Sequence, residues 1–252
     1  MFSLHFRPFI YVSIILLISG FFIPVVNASV TLTGSRIIYP GMASSVDVQL
    51  KNNDEFPYVI QTWFDNGDIN ATPDAVNNVP FIATPPVFRI QPKNGQIIRV
   101  ALNKNKKLPQ DRESVFWFNV LQIPPANIDG GSKSNKILIT LRTRVKLFYR
   151  PASLGAPNNL ARGLKVQAVS AANSATAIEI TNPHPWHASL STLQVTVGGV
   201  THMLDAGMIA PFSSQSFALP AGKTVKGPSQ VVVTIVNDQG ARISERYNVT
   251  LP

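Results

Sequence analysis

Few side chains in this chain stand at spacings that could carry chemistry. His184 and His187 are three residues apart, close enough on a helix to share a metal ion. Pro183 and Pro185 rule out regular helix there, and no cysteine or carboxylate follows at ligand spacing, so the segment reads as a turn between strands. Gly222-Lys223-Thr224 ends like a phosphate-binding loop, but the glycine such a loop requires earlier is Phe217. No serine sits in a Gly-x-Ser-x-Gly elbow, and the 13 acidic residues are too dispersed to suggest a catalytic carboxylate pair. The absence of cysteine excludes thiol catalysis, Cys-ligated metals and iron–sulfur clusters. Neither an enzyme class nor a cofactor is implied.

The residues that do form a pattern suit recognition instead. In Lys136–Pro151, KILITLRTRVKLFYRP, the side chains of Ile137, Ile139, Leu141, Thr143, Val145 and Leu147 would share one face of an extended strand. Lys136, Thr140, Arg142, Arg144 and Lys146 would share the other, with Leu138 the one apolar intruder. The alternation outlasts the roughly five or six residues of an ordinary strand. A strand with one apolar and one basic row suits two neighbours, a hydrophobic surface and something anionic. It also fits an edge strand whose cations block unwanted pairing.

The elements around it are predicted to be strands. In the mature part no window sustains a helical repeat of apolar residues, and prolines and Asn/Asp/Gly clusters interrupt the chain repeatedly. Alternating runs are expected at 29–38, 45–51, 58–65, 87–90, 96–102, 114–123 and 136–149. Seven such runs over about 120 residues suggest an immunoglobulin-like sandwich. Arg150-Pro151, then Gly155 and Pro157, mark a linker over about 151–160, after which seven more runs follow. Val231–Val236 is nearly all apolar, as a strand buried on both faces would be. The expected fold is all-β, two β-sandwiches in tandem, with domains at 29–150 and 151–252.

Residues 1–28 read as a signal peptide: a weakly basic start, an apolar run from Phe9 to Val26, and small residues before an expected cleavage after about Ala28. The formal net charge of +9 falls by one with the loss of Arg7. A basic exported chain suits an anionic surface or an acidic protein partner, and export argues against nucleic acid.

Leu108–Pro125, LPQDRESVFWFNVLQIPP, is a charged turn followed by an alternating aromatic strand that two prolines close. In that order the elements closely resemble the signature of the PapD-like periplasmic chaperones of the chaperone–usher pathway. Thr84-Pro85-Pro86-Val87, Lys146–Pro151, Arg36 on the first strand, and Asn237-Asp238 before Gly240 resemble further parts of that family. The resemblance implies two immunoglobulin-like β-sandwich domains in a boomerang arrangement, with a cleft between them that binds pilus subunits. It implies a periplasmic protein that lends its long strand to an incomplete subunit and delivers it to an outer-membrane usher, with no small-molecule substrate. Carried over, Arg36 and Lys146 would bind the subunit's C-terminal carboxylate, and Ile137, Ile139 and Leu141 would fill its groove. Glu113, Arg150 and Asp238 would link the domains. The same residues also fit surface ion pairs and ordinary core aliphatics. The short polar segment between Pro125 and Lys136 resembles the short-loop type, which serves rod-like pili. Whether the free protein caps its own strand by dimerising stays open. The other classes weighed are a structural pilin and an exported carbohydrate-binding sandwich.

Overall fold

The computed structural model describes residues 29–74, 79–126, 138–170, 176–219 and 227–251. Among them there is no α-helix. The first half contains β1 (Val30–Leu32), β2 (Arg36–Pro40), β3 (Ser45–Asn52), β4 (Tyr58–Asp65), β5 (Phe81–Thr84), β6 (Val87–Ile90), β7 (Gly95–Leu102), β8 (Ser114–Ile123) and β9 (Leu141–Arg150). They form two facing sheets, β1-β3-β7-β5 and β2-β9-β8-β4-β6. Period-two alternation sends Val48 and Leu50 of β3, Ile98 and Val100 of β7, Phe116, Phe118 and Val120 of β8, and Val145 and Leu147 of β9 into one core. Phe64, Phe81, Phe116 and Phe118 stack there as tilted or edge-on rings, the arrangement their quadrupoles favour.

The second half contains β10 (Lys165–Ser170), β11 (Thr176–Asn182), β12 (Ala188–Val197), β13 (Val200–Leu204), β14 (Met208–Ile209), β15 (Ser213–Ala218), β16 (Gly227–Val236) and β17 (Arg242–Leu251). Its sheets are β10-β11-β15 and β13-β12-β16-β17, with β14 beside β12. Ile178 and Ile180 face Leu193, Val195, Val231, Val233 and Ile235 in a separate core. The molecule is therefore two immunoglobulin-like sandwiches, and the all-β, two-sandwich expectation holds.

Three local expectations differ from the structure. The run 29–38 is not one strand: β1 pairs with β3 in one sheet and β2 with β9 in the other. The chain changes sheets at Thr33–Ser35, where Gly34 has φ 92°, a conformation that residues with a Cβ rarely adopt. The short strands β5 and β14 had no alternation long enough to predict. The long strand begins at Leu141 rather than Lys136, with Leu138–Thr140 outside any ladder. Residues 1–28, Lys136, Ile137 and Gly222–Thr224 lie outside the described residues.

Candidate functional site

β9 is the centre of the site because its two edges are unequally covered. It pairs with β8 from Leu141 to Tyr149, antiparallel. On its other edge it pairs with β2, parallel, over Lys146–Arg150 alone. Among the described residues the edge of Leu141–Val145 therefore faces no strand, and its outward N–H and C=O groups have no ladder partner. Of the apolar row, Leu141 at the start of this stretch is 50% exposed and Ile139, just before it, 68%; Leu138, the apolar intruder of the other row, is 52% exposed. Three exposed aliphatics at the end of an uncovered strand offer both backbone and side-chain contact to an incoming chain. Ile137 precedes them outside the described residues.

The covered end carries the cations. Arg36 and Lys146 are register partners in the parallel pair, so both project from the outer face of the sheet. Burial lowers the pKa of Lys146, and the neighbouring Arg36 charge lowers it further. Burial likewise lowers that of Arg36, against the opposing pull of Asp238 and Glu113. Arg36 Nη1 donates to the Val236 carbonyl of the second sandwich at 2.8 Å, and its guanidinium lies 6.0 Å from the Phe148 ring centroid. Arg36 Nε is buried without an acceptor, and the only charge felt by Lys146 among the described residues is that of Arg36, with no carboxylate paired to it. Two cations held side by side, with donors unspent, form a site that an anion would stabilise.

At the end of β9 a charge cluster crosses between the sandwiches. Arg150 donates from Nε and Nη2 to Glu113 Oε1 at 2.9 and 2.7 Å, and from Nη1 to Asp238 Oδ2 at 2.7 Å. Arg150 and Glu113 are buried. Burial works against the Arg150 charge, but the hydrogen bonds to Asp238 and Glu113 outweigh it and raise its pKa. The other Glu113 oxygen accepts from the His187 backbone N–H at 2.9 Å and lies 3.2 Å from His187 Nδ1. Glu113 N–H donates to the Pro185 carbonyl at 2.8 Å. Arg112, next in sequence, places its guanidinium 5.1 Å from the ring centroid of Phe212.

Of the residues singled out in the sequence, Arg36 stands beside Lys146, and Glu113 and Asp238 each meet Arg150. Ile139 and Leu141 are solvent-facing. Sequence reasoning treated His187 only as part of a turn and missed its contact with Glu113. No local signal could have revealed it, since the partners are 74 residues apart. His184 and His187 do not converge: His184 faces the Trp186 ring at 6.2 Å, and His187 packs against Phe148 at 5.6 Å. Among the described residues no group of three His, Asp or Glu side chains could hold a metal.

Two sandwiches joined by a buried charge cluster, one of them with an uncovered strand edge beside paired cations, define a binding protein built to take up another polypeptide. Comparison with known proteins gives the class its name. Residues 29–155 match the family described as "Pili and flagellar-assembly chaperone, PapD N-terminal domain", and residues 160–247 match "Pili assembly chaperone PapD, C-terminal domain". The chain is 39% identical to the probable fimbrial chaperone YadV of Escherichia coli K12 over 86% of this chain and 88% of that one. It is 35% identical to the chaperone protein MrkB of Klebsiella pneumoniae, over 88% and 91% of the two chains. The crystal structure of the YadV chaperone superposes with a TM-score of 0.72 at 34% identity, over 88% of this chain and all of that one. This chain belongs to the PapD family of pilus-assembly chaperones. It is a chaperone for pilus subunits, not an enzyme.

Proposed function

We propose that this chaperone works in the periplasm, after loss of residues 1–28, and captures pilus subunits by donor-strand complementation before passing them to an outer-membrane usher. Domains at 29–150 and 151–252, with the linker at about 151–160, would form the two walls of the subunit cleft. Ile137, Ile139 and Leu141 would enter the subunit's open groove, while Arg36 and Lys146 hold its terminal carboxylate. Glu113, Arg150 and Asp238 would fix the angle at which the two walls meet.

The observation that carries this reading is the open edge of Leu141–Val145, continuous with exposed Ile139. A subunit lacking a strand has the complementary defect, an apolar groove flanked by unpaired backbone groups. Each aliphatic that moves from water into such a groove contributes about 1.5–3 kcal/mol, and the shared ladder satisfies both chains' backbone groups. At the other end of the strand, burial has already depressed the Lys146 pKa, and an incoming carboxylate would reverse that depression.

The test is co-expression with the small secreted proteins encoded beside its gene, followed by purification through the chaperone. Stoichiometric recovery of one such protein supports capture. Recovery of polymers of this chain would make it a pilin, and glycan retention without any protein would make it a lectin.

A further inference from the structure

The open stretch of β9 raises a physical difficulty. Its side chains on the core side, Leu141 and Thr143, are not buried, and the core takes hold only at Val145. A strand with one neighbour and no core beneath it is prone to fray and to slip, and a one-residue slip exchanges its two faces. Groove-filling demands the opposite, a straight edge in fixed register.

The outer face of the same sheet supplies a tether. The Asp65 carboxylate, at the end of β4, is fully buried and accepts from Arg144 Nε at 3.0 Å, Asn119 Nδ2 at 2.7 Å and the Gly67 backbone N–H at 2.8 Å. Asn119 Oδ1 in turn accepts from Arg142 Nε and Nη2 at 3.0 and 2.8 Å, and Arg142 Nη1 donates to the Ile69 carbonyl at 2.7 Å. Each guanidinium also lies over an indole ring, Arg142 over Trp63 at 4.8 Å and Arg144 over Trp117 at 4.7 Å. The two arginines of the unsupported stretch are thereby bound across β8 to β4, two strands in.

We infer that Asp65 is a positioning residue of the donor strand: through Arg144, and through Asn119 to Arg142, it fixes the register of Leu141–Val145 before a subunit arrives. A slip by one residue would turn both guanidinium groups away from Asp65, Asn119 and the indoles. A slip by two would keep the faces but misalign both arginines. The tether acts on the face opposite Leu141, so it leaves the groove-filling side chains free. This inference rests on the strand-donation reading and adds a role for residues outside the groove-filling and carboxylate-binding sets.

The test compares wild type, Asp65→Asn and Arg142→Gln by hydrogen exchange and by the kinetics of capturing the denatured subunit that co-purifies with wild type. The amides of Leu141–Val145 that bond to β8 should exchange about tenfold faster in either variant, as expected for losing a charge-assisted bond, while those of Lys146–Arg150 keep their protection. The capture rate should fall by a similar factor, with dissociation of the finished complex unchanged, because the subunit then supplies the missing neighbour. A merely structural role would instead change exchange throughout the first sandwich, and that pattern overturns the inference. So does an unchanged capture rate in both variants. Arg142→Gln keeps the test valid if Asp65→Asn fails to fold. Ile139→Asp in the same assay separates the two ideas: if it captures at the wild-type rate, donation through Ile139 is wrong, whereas its failure beside normal capture by Arg142→Gln removes the tether alone.

Discussion

Arg150 and Asp238, 88 residues apart in sequence and in different sandwiches, meet with Nη1 and Oδ2 2.7 Å apart. The contact is one half of a charge set whose other half, Arg150 with Glu113, is buried. Arg150 and Glu113 pair within the first sandwich, whereas Asp238 meets the Arg150 guanidinium only while both sandwiches stay docked. The pair is one of the polar contacts that join the two sandwiches, beside Arg36 with the Val236 carbonyl and Glu113 with the His187 backbone N–H.

Asp238→Asn should lower the thermal midpoint without unfolding either sandwich. Unpairing a buried charge completely costs about 3–5 kcal/mol. Here Glu113 still faces Arg150, so the loss should be closer to the 1.5–3 kcal/mol or so of one charge-assisted hydrogen bond. Calorimetry together with small-angle scattering measures both effects. A melting curve and a scattering profile identical to wild type would make these residues solvated surface charges.

Lys146→Ala should abolish subunit recovery and leave a folded, soluble chaperone, and Arg36→Ala should do the same with some added loosening, because Arg36 also bonds the Val236 carbonyl. Recovery at wild-type yield from either variant would remove that residue from the anchor.

The depressed pKa of free Lys146 gives capture a pH dependence. A bound carboxylate raises that pKa, so capture is linked to retention of the Lys146 proton. Affinity should be constant below the free-state value, which lies under 10.5, and should fall as pH rises through it. Lys146→Arg keeps its charge in this range and should abolish the decline. Titration of capture in alkaline buffers decides the matter.

Ile139→Asp separates a donated residue from a core residue. Because Ile139 is 68% exposed, the variant should melt within about 0.5 kcal/mol of wild type, as surface substitutions do. Capture should nevertheless fail, since a carboxylate would have to enter an apolar groove. An unfolded variant would restore the core reading, and normal capture would exclude Ile139 from the site.

Acid should weaken the first sandwich through Asp65. Burial by itself would raise the pKa of this carboxyl, but bonds from Arg144, Asn119 and Gly67 outweigh burial and hold it below the ordinary 3.8. With the folded pKa below the unfolded one, the contribution is complete above about pH 4 and is lost as pH falls through the folded value. Unfolding followed between neutral pH and pH 2 should show a steeper acid decline in wild type than in Asp65→Asn.

Alternation along single strands was legible in the sequence because it is a local property of the pleat. The rows of Lys136–Pro151 correctly sorted Val145 and Leu147 inward, and Arg142, Arg144 and Lys146 outward. The ordered run Leu108–Pro125 was specific enough to point to the family, which in turn indicated Arg36, Glu113 and Asp238. Gly34 was visible too, but nothing nearby said that the chain would change sheets there.

What the sequence by itself determined, then, is the all-β character, the tandem repeat of sandwiches, and which faces of each strand are apolar, since each follows from neighbours a few residues apart. Only the tertiary structure decided that β2 begins at Arg36 and leaves Leu141–Val145 uncovered, that Arg36 reaches the Val236 carbonyl, that His187 docks on Glu113, and that Asp65 gathers Arg142 and Arg144. Each of these joins residues from strands distant in sequence. Lateral pairing and packing place such groups within hydrogen-bond range, and a pattern of period two carries no record of which strand will lie alongside or where it will end.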